Sequence, residues 1–163
     1  MRRIAWLSAA VVLLLLGAVG IMLLPGASQD AAGRHVLAAV EAFNERKFAD
    51  SASHVAPEVA LVYAGTRTVY TRETLESRMA GVADRFAYMR VRPATVTTEY
   101  PDENTAVVRM EFHWTVSSPM YPGARRRSEI ENSGAPDVAV FTMSREGESW
   151  QIEDVTLDIM GQR

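Results

Sequence analysis

The residues with the clearest acid–base potential sit in VVRMEFHWTV, Val107 to Val116, where His113 stands beside Trp114 and two residues past Glu111. An imidazole close to a carboxylate is a common partnership for proton transfer. Whether this one works depends on which way it points. Side chains alternate across a strand, so Val108, Met110, Phe112, Trp114 and Val116 share one face. Arg109, Glu111, His113 and Thr115 share the other. Burying a large apolar side chain contributes about 1.5–3 kcal/mol, so the apolar set faces the core. His113 then points outward, in a row with Arg109 and Glu111 that could pair across strands. The strand parity makes it a surface or contact histidine rather than a catalyst.

The other candidates are weaker. His35 lies beside the apolar stripe of a predicted helix and is expected to be exposed, while His54 reads as a turn residue. Histidines at 35, 54 and 113 form no pair at ligand spacing, and cysteine is absent, so neither a metal nor another cofactor is expected. Asp50 falls in a solvent-facing turn by pattern, and Glu58 follows Pro57. No glycine-rich phosphate loop, nucleophile elbow or calcium loop is present. The missing cysteines also exclude disulfides, thiolate catalysis and a lipidated lipoprotein N-terminus. A net charge of −3 gives no electrostatic footprint for nucleic acid. Arg125, Arg126 and Arg127 form the one basic cluster, balanced by Glu129 and Glu131. It reads as a solvated tip, with an acidic partner or anionic headgroups as its functional alternative.

These residues need elements to hold them. A chain of 163 residues with 48% hydrophobic content has room for one domain and a core. Val36, Leu37, Val40, Phe43 and Phe48 recur at helical spacing over residues 31–48. A short turn or helix, ADSASHV, then leads to Pro57, where helical structure stops. VALVY, Val59 to Tyr63, is a short strand bounded by Ala64 and Gly65. Thr71 caps a second helix whose apolar stripe is Leu75, Met79, Val82 and Phe86. Strands follow near 88–100, 105–117, 137–145 and 149–159, with turns at PDEN and REGES. The segment 117–136 is a long irregular connection of the sort that often carries binding. The pattern is α+β.

At the other end of the chain, Arg2 and Arg3 precede Ile4 to Leu24, 21 residues without a charge. A bilayer core needs about 20 such residues as a helix, whereas signal-peptide apolar regions run only about 7–15. Residues 1–29 therefore read as a cytoplasmic stub and membrane anchor. Cleavage ahead of Gln29 is the alternative. Either way the arginine pair keeps the N-terminus inside and sends residues 30–163 across the bacterial inner membrane.

Three stretches carry a family resemblance. AVEAFNERKFADSASHVAPEVALVYAG resembles a helix–turn lead into a first strand, TRETLESRM the helix after a short β-ribbon, and FTMSREGESWQIEDVTLD a closing hairpin. Their order is similar to that of the nuclear transport factor 2-like superfamily, with its SnoaL-like cyclases and ketosteroid isomerases. The resemblance implies a cystatin-like cone, a curved antiparallel sheet wrapped around helices, often with an apolar pocket. It gives Tyr63, Phe86, Met110, Phe112 and Trp114 as pocket residues and Arg109, Glu111 and His113 as interaction-surface residues, to which charge alone adds Arg125, Arg126 and Arg127. Isomerases of this kind place a carboxylate near the end of the first strand, where this chain has Val62, Tyr63 and Ala64. Fold alone does not fix function.

The preferred expectation is a non-enzymatic, membrane-tethered module that contacts a protein partner, a second copy through its sheet face, or an apolar ligand. The alternative is an isomerase, cyclase or dehydratase that uses the cone pocket. A carboxylate or imidazole reaching an enclosed cavity beside Tyr63 and Trp114, with a raised carboxyl pKa, would favour the enzyme.

Overall fold

The computed structural model describes residues 30–84, 86, 88–117, 129–131 and 134–158. The expected membrane span and the Arg125–Arg127 cluster lie outside the described residues. Among those described, no helix is long and apolar enough to cross a membrane.

Helix α1, Ala31–Asn44, starts where the Asp30 carboxylate accepts the Gly33 N–H at 3.0 Å, which satisfies one of the orphan donors of the first turn. Val36, Val40 and Phe43 are buried, as their spacing predicts, and Leu37 is half-buried. The predicted continuation to Phe48 does not occur. Arg46 takes a left-handed conformation, φ 61°, which ends the helix, and the chain re-forms as α2, Phe48–Ser53. Strand β1, Val55–Tyr63, begins at Val55 rather than Val59 and runs through Pro57. Ala64 and Gly65 both have positive φ, 48° and 77°. That pair makes the tight primed turn whose twist suits a two-residue hairpin into β2, Thr66–Thr71.

Thr71 caps α3, Arg72–Ala83, its hydroxyl accepting the Thr74 N–H at 3.3 Å. Leu75, Met79, Val82 and Phe86 are all buried, as the stripe requires. Four longer strands follow: β3, Tyr88–Glu99; β4, Thr105–Ser117; β6, Asp137–Glu146; and β7, Ser149–Asp158. The connection predicted to be irregular contains β5, Glu129–Glu131, which pairs with Thr115–Ser117 of β4. That strand is made by a long-range partner, which no local pattern records.

The sheet order is β2-β1-β7-β6-β4-β3, with β5 off the path. The pairs are antiparallel except β1–β7, which is parallel. The helices pack on one face of this curled sheet, α1 against β3, β4 and β7 and α3 against β1 and β2. Val36, Val40, Leu75, Met79, Met110, Phe112 and Phe141 fill the space between. The opposite face carries the other parity of each strand and no helix among the described residues. Asn44, the last residue of α1, binds both backbone groups of Val91. Its Nδ2 donates to the Val91 carbonyl at 3.1 Å, and its Oδ1 accepts the Val91 N–H at 3.2 Å.

Candidate functional site

Strand β6 buries every second residue: Asp137, Ala139, Phe141 and Met143. The first is a carboxylate, only 2% exposed, at the edge of an apolar face. It sits opposite Phe112 of β4. Two residues further along β4, the Trp114 indole N–H donates to Asp137 Oδ2 at 2.7 Å. Register brings β1 to the same end of the sheet, since Tyr63 pairs with Leu157 and Leu157 with Ala139. Tyr63 and Trp114 are half-buried, and Ser117 is buried at the end of β4. Val91 stands opposite Trp114 and is itself gripped by Asn44, so the indole is backed by a clamped strand.

Sinking a carboxylate into an apolar wall costs several kcal/mol unless hydrogen bonds offset it, so proteins seldom place one there without use. Its charge is felt nearby. Burial pushes the Tyr63 phenol up from its ordinary value, and the negative charge of Asp137 pushes it further. Tyr63 therefore keeps its proton at neutral pH and can donate it in a hydrogen bond. The set can supply a fixed proton acceptor, a neutral donor and an aromatic wall.

Of the pocket residues predicted from sequence, Tyr63 and Trp114 come together with Asp137. Met110 and Phe112 are fully buried in the core below them, and Phe86 is also in that core. Among the surface residues, Arg109 and Glu111 form an ion pair at 3.3 Å along one strand, not across two. His113 lies on the outer face, half-buried and opposite Arg92 of β3. Asp50 and Glu58 are exposed. Sequence reasoning missed Asp137, although the signal was available. The alternation rule that turns His113 outward in β4 turns Asp137 inward in β6, with Ala139, Phe141 and Met143.

His54 lies in a turn, as expected, whereas the expected exposure of His35 is corrected. His35 is half-buried, and its Nε2 lies 3.2 Å from the His54 carbonyl oxygen. A carbonyl only accepts, so this contact assigns the proton to His35 Nε2. The rings meet edge to face, with centroids 4.4 Å apart and planes at 78°. His54 Nδ1 is 3.1 Å from Nε2 and 3.4 Å from Nδ1 of His35. Such near-equal distances place it over the ring face, so the lone pairs do not converge on a shared ion. Among the described residues no three His, Asp or Glu side chains are grouped to hold a metal. Burial lowers the pKa of both imidazoles. At His54 the neighbouring His35 lowers it further, against the opposing pull of Asp50.

No protein-family model and no curated protein matches the sequence. Solved structures do match the fold. A candidate scytalone dehydratase from Novosphingobium aromaticivorans aligns with a TM-score of 0.59 at 14% identity, over 76% of this chain and 78% of that one. A candidate dehydratase of the nuclear transport factor 2-like family from Streptomyces avermitilis aligns at 0.63 and 16% identity, covering 79% and 94%. A candidate ketosteroid isomerase from Shewanella frigidimarina aligns at 0.58 and 14% identity, covering 80% and 96%. The domain thus has the cystatin-like, nuclear transport factor 2-like fold that the sequence pattern suggested.

Proposed function

We propose that the domain is an acid–base enzyme of the isomerase or dehydratase kind, acting on an apolar cyclic carbonyl compound held at the Asp137 end of the cone. The observation that carries this reading is the buried Asp137 carboxylate, steered by Trp114 and within electrostatic reach of Tyr63. In the proposed step Asp137 accepts a proton from the carbon next to the substrate carbonyl. The electron pair moves onto the carbonyl oxygen, and the Tyr63 hydroxyl donates a hydrogen bond to the oxyanion that develops. Returning the proton at another carbon completes an isomerisation, and expelling a β-hydroxyl as water completes a dehydration. The names of the dehydratase and isomerase structures with this fold support the same class of chemistry.

The test is exchange of α-protons for deuterium in cyclic enones and β-hydroxyketones, followed by NMR with purified protein. Exchange by the native chain that Asp137→Asn abolishes is the expected result. Exchange of equal rate in the variant would overturn the assignment.

A second reading rests on a different observation, the sheet face that bears Arg109, Glu111 and His113 and carries no helix among the described residues. It makes the domain a tethered interaction module, docked through that face to a second copy or to a membrane complex, with Ile4–Leu24 as the tether. Sedimentation of the protein at rising concentration addresses it, and a chain that stays monomeric and captures no partner from mild detergent extracts argues against it.

A further inference from the structure

The two edges of the sheet are treated differently by the sequence. Exposed edges invite pairing with other strands, and proteins blunt them with proline, bulges, charge or a covering group. Strand β3 uses all four. Pro93 lies within it, the register with β4 shifts between Pro93 and Thr95, Arg90 and Arg92 line it, and Asn44 occupies the N–H and carbonyl of Val91. Among the described residues strand β2 has none of them in the same way. TRTVYT pairs with β1 in unbroken register from Thr71 opposite Glu58 to Thr66 opposite Tyr63. Its one charge, Arg67, is turned back over the sheet to Asp154 of β7, at 3.3 Å. Its other residues are threonine, valine and tyrosine, all strong strand formers. Among the described residues Val69 is one of two exposed large hydrophobic side chains, at 52%.

We propose that β2 pairs antiparallel with β2 of a second copy of this chain, with Val69 directly opposite Val69. The inference stands apart from the reading of Asp137. Two identical strands paired antiparallel are related by a two-fold axis perpendicular to the sheet, so one residue must face its own mate. Centring on Val69 sets Thr68 against Tyr70 and Arg67 against Thr71. Each is a favourable or neutral cross-strand pair, and no two like charges meet. Centring on Thr68 instead would place Arg67 opposite Val69 and leave the valines apart. The self-complementarity is what selects a second copy over a foreign strand. An edge contact of this length falls short of the roughly 1,200 Å² at which stable complexes begin, so the pairing is weak and concentration-dependent.

The chain contains no cysteine, so a single introduced thiol reports one position. Residues directly opposite in an antiparallel pair have Cα atoms about 4.5–5.5 Å apart, within disulfide range. In the full-length chain, Val69→Cys is expected to form a disulfide dimer about tenfold faster than Glu103→Cys, an exposed turn position, because pairing raises the local thiol concentration. Thr71→Cys alone should not crosslink quickly, whereas a mixture of Arg67→Cys and Thr71→Cys chains should form the heterodimer. That mixture also tests the register without altering Val69. Val69→Cys crosslinking no faster than Glu103→Cys, or Thr71→Cys crosslinking as fast as Val69→Cys, overturns the proposal.

Discussion

Both ends of the curled sheet gather polar groups, but only one of them buries a carboxylate. At the end where β1 begins and β3 finishes, the polar groups close the fold on itself. Asp30 caps α1 and accepts hydrogen bonds from the hydroxyls of Thr98, on β3, and Tyr100, just past its end. The His54 carbonyl receives both His35 Nε2–H and the Ile152 N–H of β7, at 3.2 and 3.1 Å. At the other end, Asp137 is drawn into an apolar wall by the indole of Trp114, between residues of β1 and β4. A carboxylate at a helix start removes an orphan-donor problem, whereas a carboxylate at the start of a buried strand creates a desolvation cost. The first is architecture. The second suggests use.

The largest contrast should appear in Asp137→Asn. Loss of a general base lowers rate about 10²–10⁴-fold, and the amide is nearly isosteric, so the fold should persist. Deuterium exchange alongside thermal melting would show activity gone with the melting transition kept. A variant that melts early and loses activity in proportion would make Asp137 structural instead.

At the opposite end the expectation reverses. Asp30→Ala should cost about 0.5–2 kcal/mol, the usual range for a lost N-cap, with exchange chemistry unaffected. Gly33→Ala gives a sharper version. Alanine normally stabilises a helix interior by about 1 kcal/mol over glycine, yet here the added Cβ would lie 2.2 Å from Asp30 Oδ2. The clash should win, and urea unfolding should show a less stable protein. A stabilised Gly33→Ala would mean that the Asp30 cap contributes little.

The same contrast explains what the sequence could and could not reveal. Capping and periodicity are local, so Thr71, the Leu75–Phe86 stripe and the parity of β4 were legible. So was the fold class, because strand order and helix order survive in the pattern. The His35–His54 contact was not, since the two residues meet only after α1 and α2 fold back on each other across a left-handed Arg46. Strand β5 was hidden for the same reason, as its pairing comes from β4. Asp137 is the instructive case. The alternation that buries Ala139, Phe141 and Met143 buries it too, but its meeting with Trp114 depends on the pairing of two strands and is written in neither stretch alone.

Smaller effects follow from acid. Both imidazoles of the His35–His54 contact have folded pKa values below the ordinary value of about 6.5, because burial disfavours their charged forms. Unfolding therefore takes up protons. Stability is fully present above about pH 6.5 and is lost progressively as pH falls through that value towards the folded pKa values. Asp50 moderates the loss at His54. Urea midpoints measured from pH 7.5 to 5 should fall in the native chain and flatten in His35→Gln. An unchanged slope in that variant would remove the pair as its source.

The smallest effect belongs to the outer face. Arg109 and Glu111 pair at 3.3 Å, but their side chains are 51% and 35% exposed, and such ion pairs contribute about 0–1 kcal/mol. Arg109→Ala should leave the melting transition of dilute protein nearly in place. The informative measurement is at high concentration. If a second copy docks against the outer sheet face, removing Arg109 from it should shift the monomer–dimer balance, although the same change hardly touches the isolated fold. If association instead runs through β2, sedimentation of Arg109→Ala should match that of the native chain, while Val69→Lys, which sets like charges opposite each other, should abolish it.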